Sequence, residues 1–102
     1  MNDYLFLMHK PPAGATNAEA TWSEYFARLR ATGQFAGGSA IGSGLCVSKS
    51  GAAAAASDEL IGYLRITAKS IESARSLLPG NPVFEAGGMV EIRELPRTMG
   101  EV

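Results

Sequence analysis

Apolar residues recur at every second position in some stretches of this chain and at helical spacing in others. The order of those two periods limits the fold more than any other feature. Residues 4–9 alternate, with Tyr4, Phe6 and Met8 on one face and Leu5, Leu7 and His9 on the other. Both faces are largely apolar, which predicts a strand covered on two sides, stopped by Pro11 and Pro12 because proline cannot donate to a ladder. Thr16 and Glu19 form a capping-box pattern. Trp22, Tyr25, Phe26 and Leu29 then follow at i, i+3, i+4 and i+7, one stripe of a helix, and Gly33 suits the left-handed residue that ends it. The prediction is a helix over 17–32.

Ile41, Leu45 and Val47 share a parity and predict a second strand near 40–48, entered through a stretch loosened by Gly37, Gly38, Gly42 and Gly44. Residues 48–58 are small and polar and suit a hairpin connection, although the five alanines at 52–56 would also tolerate a helical turn. Residues 60–67 are rich in β-formers and predict a third strand. Ser70 is placed to cap a second helix carrying Ile71, Ala74, Leu77 and Leu78, which Pro79-Gly80-Asn81-Pro82 ends. Residues 83–95 read as the last strand, with a bulge or bend at Gly87-Gly88, and residues 97–102 as a loose tail.

The order β-α-β-β-α-β predicts one α+β domain, residues 1–102, of ferredoxin-like topology: a four-stranded antiparallel sheet with both helices on one face. The other sheet face still offers Leu7 and Tyr63. An apolar face left open points to a partner, and a second copy in a two-fold homodimer is the simplest one.

Composition narrows the function classes. The chain has 102 residues, 46% of them hydrophobic and 19% charged, as expected of one folded domain. Nine basic against ten acidic residues leave a net charge of −1. With no basic surplus to neutralise phosphates, nucleic acid is disfavoured as a partner. No apolar stretch approaches the length of a membrane span, and residues 1–8 lack the basic start of a signal peptide. Cys46, the only cysteine, allows no intrachain disulfide and no cysteine zinc cluster. The expectation is a cytoplasmic protein with no cofactor and no metal.

Few residues stand out as chemistry. His9 is the only histidine, at a strand end. The residue type suits a general base or a donor to a phenolic or anionic ligand; the plainer reading is a bond to backbone. Asp58 precedes the third strand and would orient His9 if the first and third strands lie side by side; its plainer role is turn chemistry. Tyr63, on the parity opposite Leu64 and Ile66, would face the open side and stack on a ligand or seal an interface. Glu85, Glu91 and Arg93 suit cross-strand ion pairs, with anion binding by Arg93 the sharper alternative. Trp22, Tyr25 and Phe26 would line a cavity or simply fill the core. Cys46 reads as a buried thiol. Ser48 and Ser50 lack a nucleophile-elbow context, and the glycines at 37–44 lack the lysine and helix start of a phosphate loop.

The motifs Tyr4-Leu5-Phe6-Leu7-Met8, Leu60-Ile61-Gly62-Tyr63-Leu64-Arg65-Ile66 leading to Ser70-Ile71-Glu72-Ser73-Ala74, and Gly88-Met89-Val90-Glu91-Ile92-Arg93-Glu94-Leu95-Pro96 resemble, in order and spacing, the YCII-related or DGPF-domain family. The resemblance implies a ferredoxin-like fold and a dimer whose two sheets face each other around a cavity. The family's chemistry does not follow. Its Asp-Gly-Pro-Phe run would fall near Ser50-Gly51-Ala52-Ala53, where only the glycine matches, and the His-Asp pair proposed for some members has no histidine on the first helix here. Some members resemble enzymes that remove chloride from aromatic rings, and some are associated with sigma factors. No catalytic residue is carried over. The expected function is therefore a dimeric small-molecule-binding or regulatory domain, with a ligand between the sheets near His9 and Tyr63 and Arg93 as a ligand contact. One alternative is a small enzyme acting on an aromatic or lactone-like substrate through His9 and Asp58. The other is a dimerisation module without a pocket.

Overall fold

The computed structural model describes residues 1–14, 21–51 and 53–97. A four-stranded antiparallel sheet is built from β1 (Asn2–His9), β2 (Phe35–Ala40), β5 (Leu60–Ala68) and β6 (Val90–Leu95), in the order β2-β5-β1-β6. Two further strands, β3 (Leu45–Val47) and β4 (Ala53–Ala55), pair only with each other. Three short helices complete the fold: α1 (Trp22–Thr32), α2 (Ile71–Arg75) and α3 (Pro82–Glu85).

β1 lies between β5 and β6. Phe6 stands opposite Leu64 on one side and Ile92 on the other, and Leu7 stands opposite Tyr63 and Glu91. The even-numbered residues Tyr4, Phe6 and Met8 join Leu64, Ile66 and Ala68 in the core, closed by Tyr25 and Leu29 of α1, Ala74 of α2, Leu78 and Val83. All three helices therefore serve one sheet face. Leu5, Leu7, Tyr63, Glu91 and Arg93 lie on the other, which no described element covers.

The helix starts follow local chemistry. The Thr21 hydroxyl accepts from Glu24 N at 3.2 Å, and Gly33, at φ 73°, ends α1. The capping pair Thr16 and Glu19 lies outside the described residues. Tyr25 is buried in the core, and its hydroxyl donates to Leu77 O at 2.8 Å. Burial raises its pKa, partly offset by a hydrogen bond with Asn81. Ser70 caps α2 as its sequence suggests, accepting from Ser73 N.

Four expected segments differ. The sheet's second strand is the glycine-rich entry, Phe35–Ala40, and not residues 40–48. Gly37, at φ 97°, takes up a bulge between Phe35 and Gly38. That bulge keeps Phe35, opposite Ile66, and Gly38, opposite Leu64, on the helix side. Leu45–Val47 instead pairs with the alanines, which form a strand and not a helical turn. The second helix stops at Arg75, after which Leu77 and Leu78 are held by tighter i−3 bonds.

Residues 82–85 are helical where a strand is expected. Pro82 takes the first helical position, and Asn81 Oδ1 accepts from Val83 N at 3.0 Å and Phe84 N at 3.1 Å. Gly87, at φ 85°, and Gly88, donating to Val83 O, close that helix, so the glycine pair is no strand bulge. Arg97, expected in the tail, is held by two bonds from its guanidinium to Asp3 at 2.7 and 2.9 Å. They lower the Asp3 pKa. Residues 98–102 lie outside the described set.

Candidate functional site

Two regions collect the side chains capable of chemistry, one on each face of the sheet. The first is a row across the open face at the end of β1. His9 N donates to Met89 O at 2.9 Å, which carries the β1–β6 ladder past the end of β6 and fixes the histidine backbone. Glu91, opposite Leu7, is then the diagonal neighbour of His9 on the same face. Its Oε1 lies 3.0 Å from His9 Nε2, and its Oε2 accepts from Arg93 Nη1 at 2.9 Å. The result is a line of cation, carboxylate and imidazole. The Arg93 bond, followed by the His9 bond, holds the Glu91 carboxyl below its usual range. An imidazole pinned by a carboxylate through one nitrogen is oriented to use the other, the arrangement a general base needs.

Asp58 takes no part in this row. Its carboxylate lies 3.6 Å from Lys10 Nζ, and both side chains are exposed. β1 and β5 are neighbours as expected, but a register shift between Met8 and His9 sets His9 opposite Leu60. The carboxylate beside His9 comes from β6. In the sequence Glu91 is only one of three alternating charges; what marks it is its parity with Leu7 and His9, which depends on the β1–β6 register.

The second region is a cavity of about 550 Å³ on the helix-covered side, between α1 and the β2–β5 pair. Trp22, Phe26 and Phe35 line it with Met8, Leu64 and Val83. Phe26 and Phe35 stack at 5.5 Å, and Trp22 and Phe26 lie 5.4 Å apart. Of the aromatic stripe on α1, Tyr25 goes to the core while Trp22 and Phe26 go to the cavity.

Gly38 and Gly62, also in the lining, let the floor lie low. A Cβ on Gly38 would collide with the Tyr63 carbonyl and come within 2.7 Å of Leu64 Cδ2, and one on Gly62 would meet Met8 Cε at 3.1 Å. The polar element is Arg30, whose guanidinium lies 5.7 Å from the Phe26 ring and 5.8 Å from Phe35. Tyr63 borders the cavity from its place on β5 although its parity sets it on the open face with Leu7; His9, Asp58 and Arg93 do not border it. Phe35 goes unnoticed in the sequence because the bulge at Gly37 decides the face on which it falls; Arg30, which the apolar stripe leaves pointing elsewhere, sits four residues after Phe26 on α1 and reaches its ring.

Cys46 is exposed on the small hairpin. Among the described residues, no group of three or more His, Cys, Asp or Glu gathers as a metal site, and no helix is long and apolar enough to cross a membrane. In comparisons with family models, with curated proteins and with solved structures, nothing matches the chain.

Proposed function

We propose that this chain is a small-molecule-binding domain whose ligand is an aromatic-sized apolar body with an anionic group, seated in the cavity under α1. The carrying observation is the cavity itself: about 550 Å³, walled by Trp22, Phe26 and Phe35, with the Arg30 guanidinium over two of those rings. That volume lies within the range of small-molecule sites, and an apolar wall with one charged group is their usual composition.

The wider reading is a homodimer of the YCII-related class with ferredoxin-like topology. It is supported by the strand order β2-β5-β1-β6, by helices confined to one sheet face, and by half-buried Leu5, Leu7 and Tyr63 on the other. A cytoplasmic location belongs to the same reading and leans on the single cysteine.

Trp22 is the only tryptophan and lines the cavity, so its emission reports occupancy. Titration with 1-naphthoate should change that emission and raise the melting temperature. Arg30→Ala should weaken binding about tenfold, the loss of one charge-assisted contact. No change in emission or melting temperature at millimolar probe would remove the reading.

A second reading has its own observation, the 3.0 Å contact of His9 with Glu91. It makes the open face the site of a small enzyme with His9 as base and Glu91, in place of Asp58, as its orienter. Turnover of a lactone or aromatic ester probe that His9→Ala abolishes, and that Asp58→Asn leaves intact, would support it. Equal turnover by wild type and His9→Ala would remove it.

A further inference from the structure

The cavity under α1 has a direction as well as a volume. α1 passes through Gly33 and Gln34 directly into β2, so the chain reverses and the strand runs back beside the helix. Trp22, Phe26 and Arg30 stand four residues apart along one side of α1 and span about 12 Å. On β2, Phe35 stands opposite Ile66, Gly38 opposite Leu64 and Ala40 opposite Gly62. The Arg30 guanidinium lies 5.8 Å from the Phe35 ring, which puts the cation at the end next to the α1–β2 turn. Trp22, 36% exposed, stands at the other end. Between them Gly38, Ala40 and Gly62, neighbours on the helix side of β2 and β5, carry one methyl among them. Neither glycine has a left-handed φ. Glycine inside a strand otherwise weakens it and marks close approach of a backbone or a ligand. The result is a trough along α1, with bare backbone on one side and aromatic rings on the other.

The charge is as one-sided as the shape. Arg30 is the only charged residue in the lining. Among the described residues no carboxylate pairs with it, the ion pairs being those of His9, Lys10, Arg93 and Arg97. We infer that the ligand is an elongated amphiphilic carboxylate lying along α1. Its carboxylate meets Arg30, its apolar body passes Phe26 over the trough at Gly38, and its far end rests on Trp22. The inference rests on the reading of the cavity as a ligand site, and adds to it the ligand's length and orientation. A guanidinium fork takes a carboxylate by two parallel bonds, and no second charge along the trough invites a second polar group. A single ring held at Arg30 would leave the Trp22 end unfilled.

The test is calorimetric titration with ω-phenylalkanoates from phenylacetate to phenyldecanoate, with a melting curve for each variant to check folding. Affinity should rise about two- to fourfold for each methylene, as methylene burial gives. It should level off near phenylhexanoate, whose extended length is about that of the trough. Arg30→Gln should weaken every member by one factor, about tenfold. Trp22→Ala should weaken the long members about tenfold and move the levelling-off to a shorter chain. Affinity that does not change with chain length would overturn the elongated ligand and leave the cavity as a site for a compact one. Affinity that keeps rising past phenylhexanoate, with Trp22→Ala weakening all members alike, would overturn the trough as the measure of length. No binding of any member at millimolar concentration would remove both the inference and the reading beneath it.

Discussion

Glu91 and His9 meet across the β1–β6 pair, Oε1 to Nε2 at 3.0 Å, while the other oxygen of Glu91 is held by Arg93 at 2.9 Å. One carboxylate thus links the only histidine of the chain to an arginine on the sheet face that the helices leave open. The line is built from residues of one parity on two neighbouring strands, and its length is set by the diagonal spacing of an antiparallel pair.

Glu91 should titrate below the ordinary glutamate range, since Arg93 first and His9 second stabilise its charged form. A carboxyl with a depressed folded pKa stabilises the fold above its unfolded pKa, and that contribution fades as the pH falls through the folded value. Carboxyl-carbon NMR of wild type and Arg93→Ala should place the variant's Glu91 transition at higher pH. Identical transitions would show that Arg93 does not hold Glu91 in solution.

Asn81 is fully buried and joins two elements. Its Oδ1 caps α3, and its Nδ2 lies 3.6 Å from Met8 Sδ on β1. Asn81→Ala removes the cap and leaves Val83 N and Phe84 N without their acceptor, which should cost about 2 kcal/mol. Asn81→Ser, which keeps a capping oxygen, should recover part of that loss. Urea denaturation measures both, and a loss within about 0.5 kcal/mol for Asn81→Ala, the range of ordinary surface changes, would contradict the cap.

Gly38 is required by close approach. An added methyl would press on the Tyr63 carbonyl and on Leu64, so Gly38→Ala should destabilise by about 1–3 kcal/mol, as overpacking does. Gly42 has open space at the same position, and Gly42→Ala should stay within about 0.5 kcal/mol. Denaturation midpoints that fall equally for the two variants would contradict the proximity of β2 and β5 at this point.

Much of the architecture is legible locally. The alternation over residues 4–9 and 60–67, the stripe from Trp22 to Leu29, Gly33 as a helix end and Ser70 as a cap all depend on neighbours a few positions away, and periodicity reports such neighbours directly. These features were enough to indicate an α+β chain with a four-stranded antiparallel sheet and one uncovered face. The glycine-rich stretch and the last third were harder. A bulge at Gly37 moves the strand upstream of its apolar residues, and Asn81-Pro82 begins a helix with the same residues that end another.

The sequence by itself determined which segments are strands or helices wherever the apolar period was unbroken, and which residue types were on hand for chemistry. Only the tertiary structure decided which of them meet. His9 gained Glu91 and not Asp58 because a carboxylate 82 positions away shares its face once β6 pairs with β1. Phe35 joined Trp22, Phe26 and Arg30 of α1 around a cavity because a bulge chose the side on which Phe35 falls. Register and bulges are set by the packing of whole strands. A one-residue shift turns every side chain to the opposite face, so no local pattern settles the partners of a given residue.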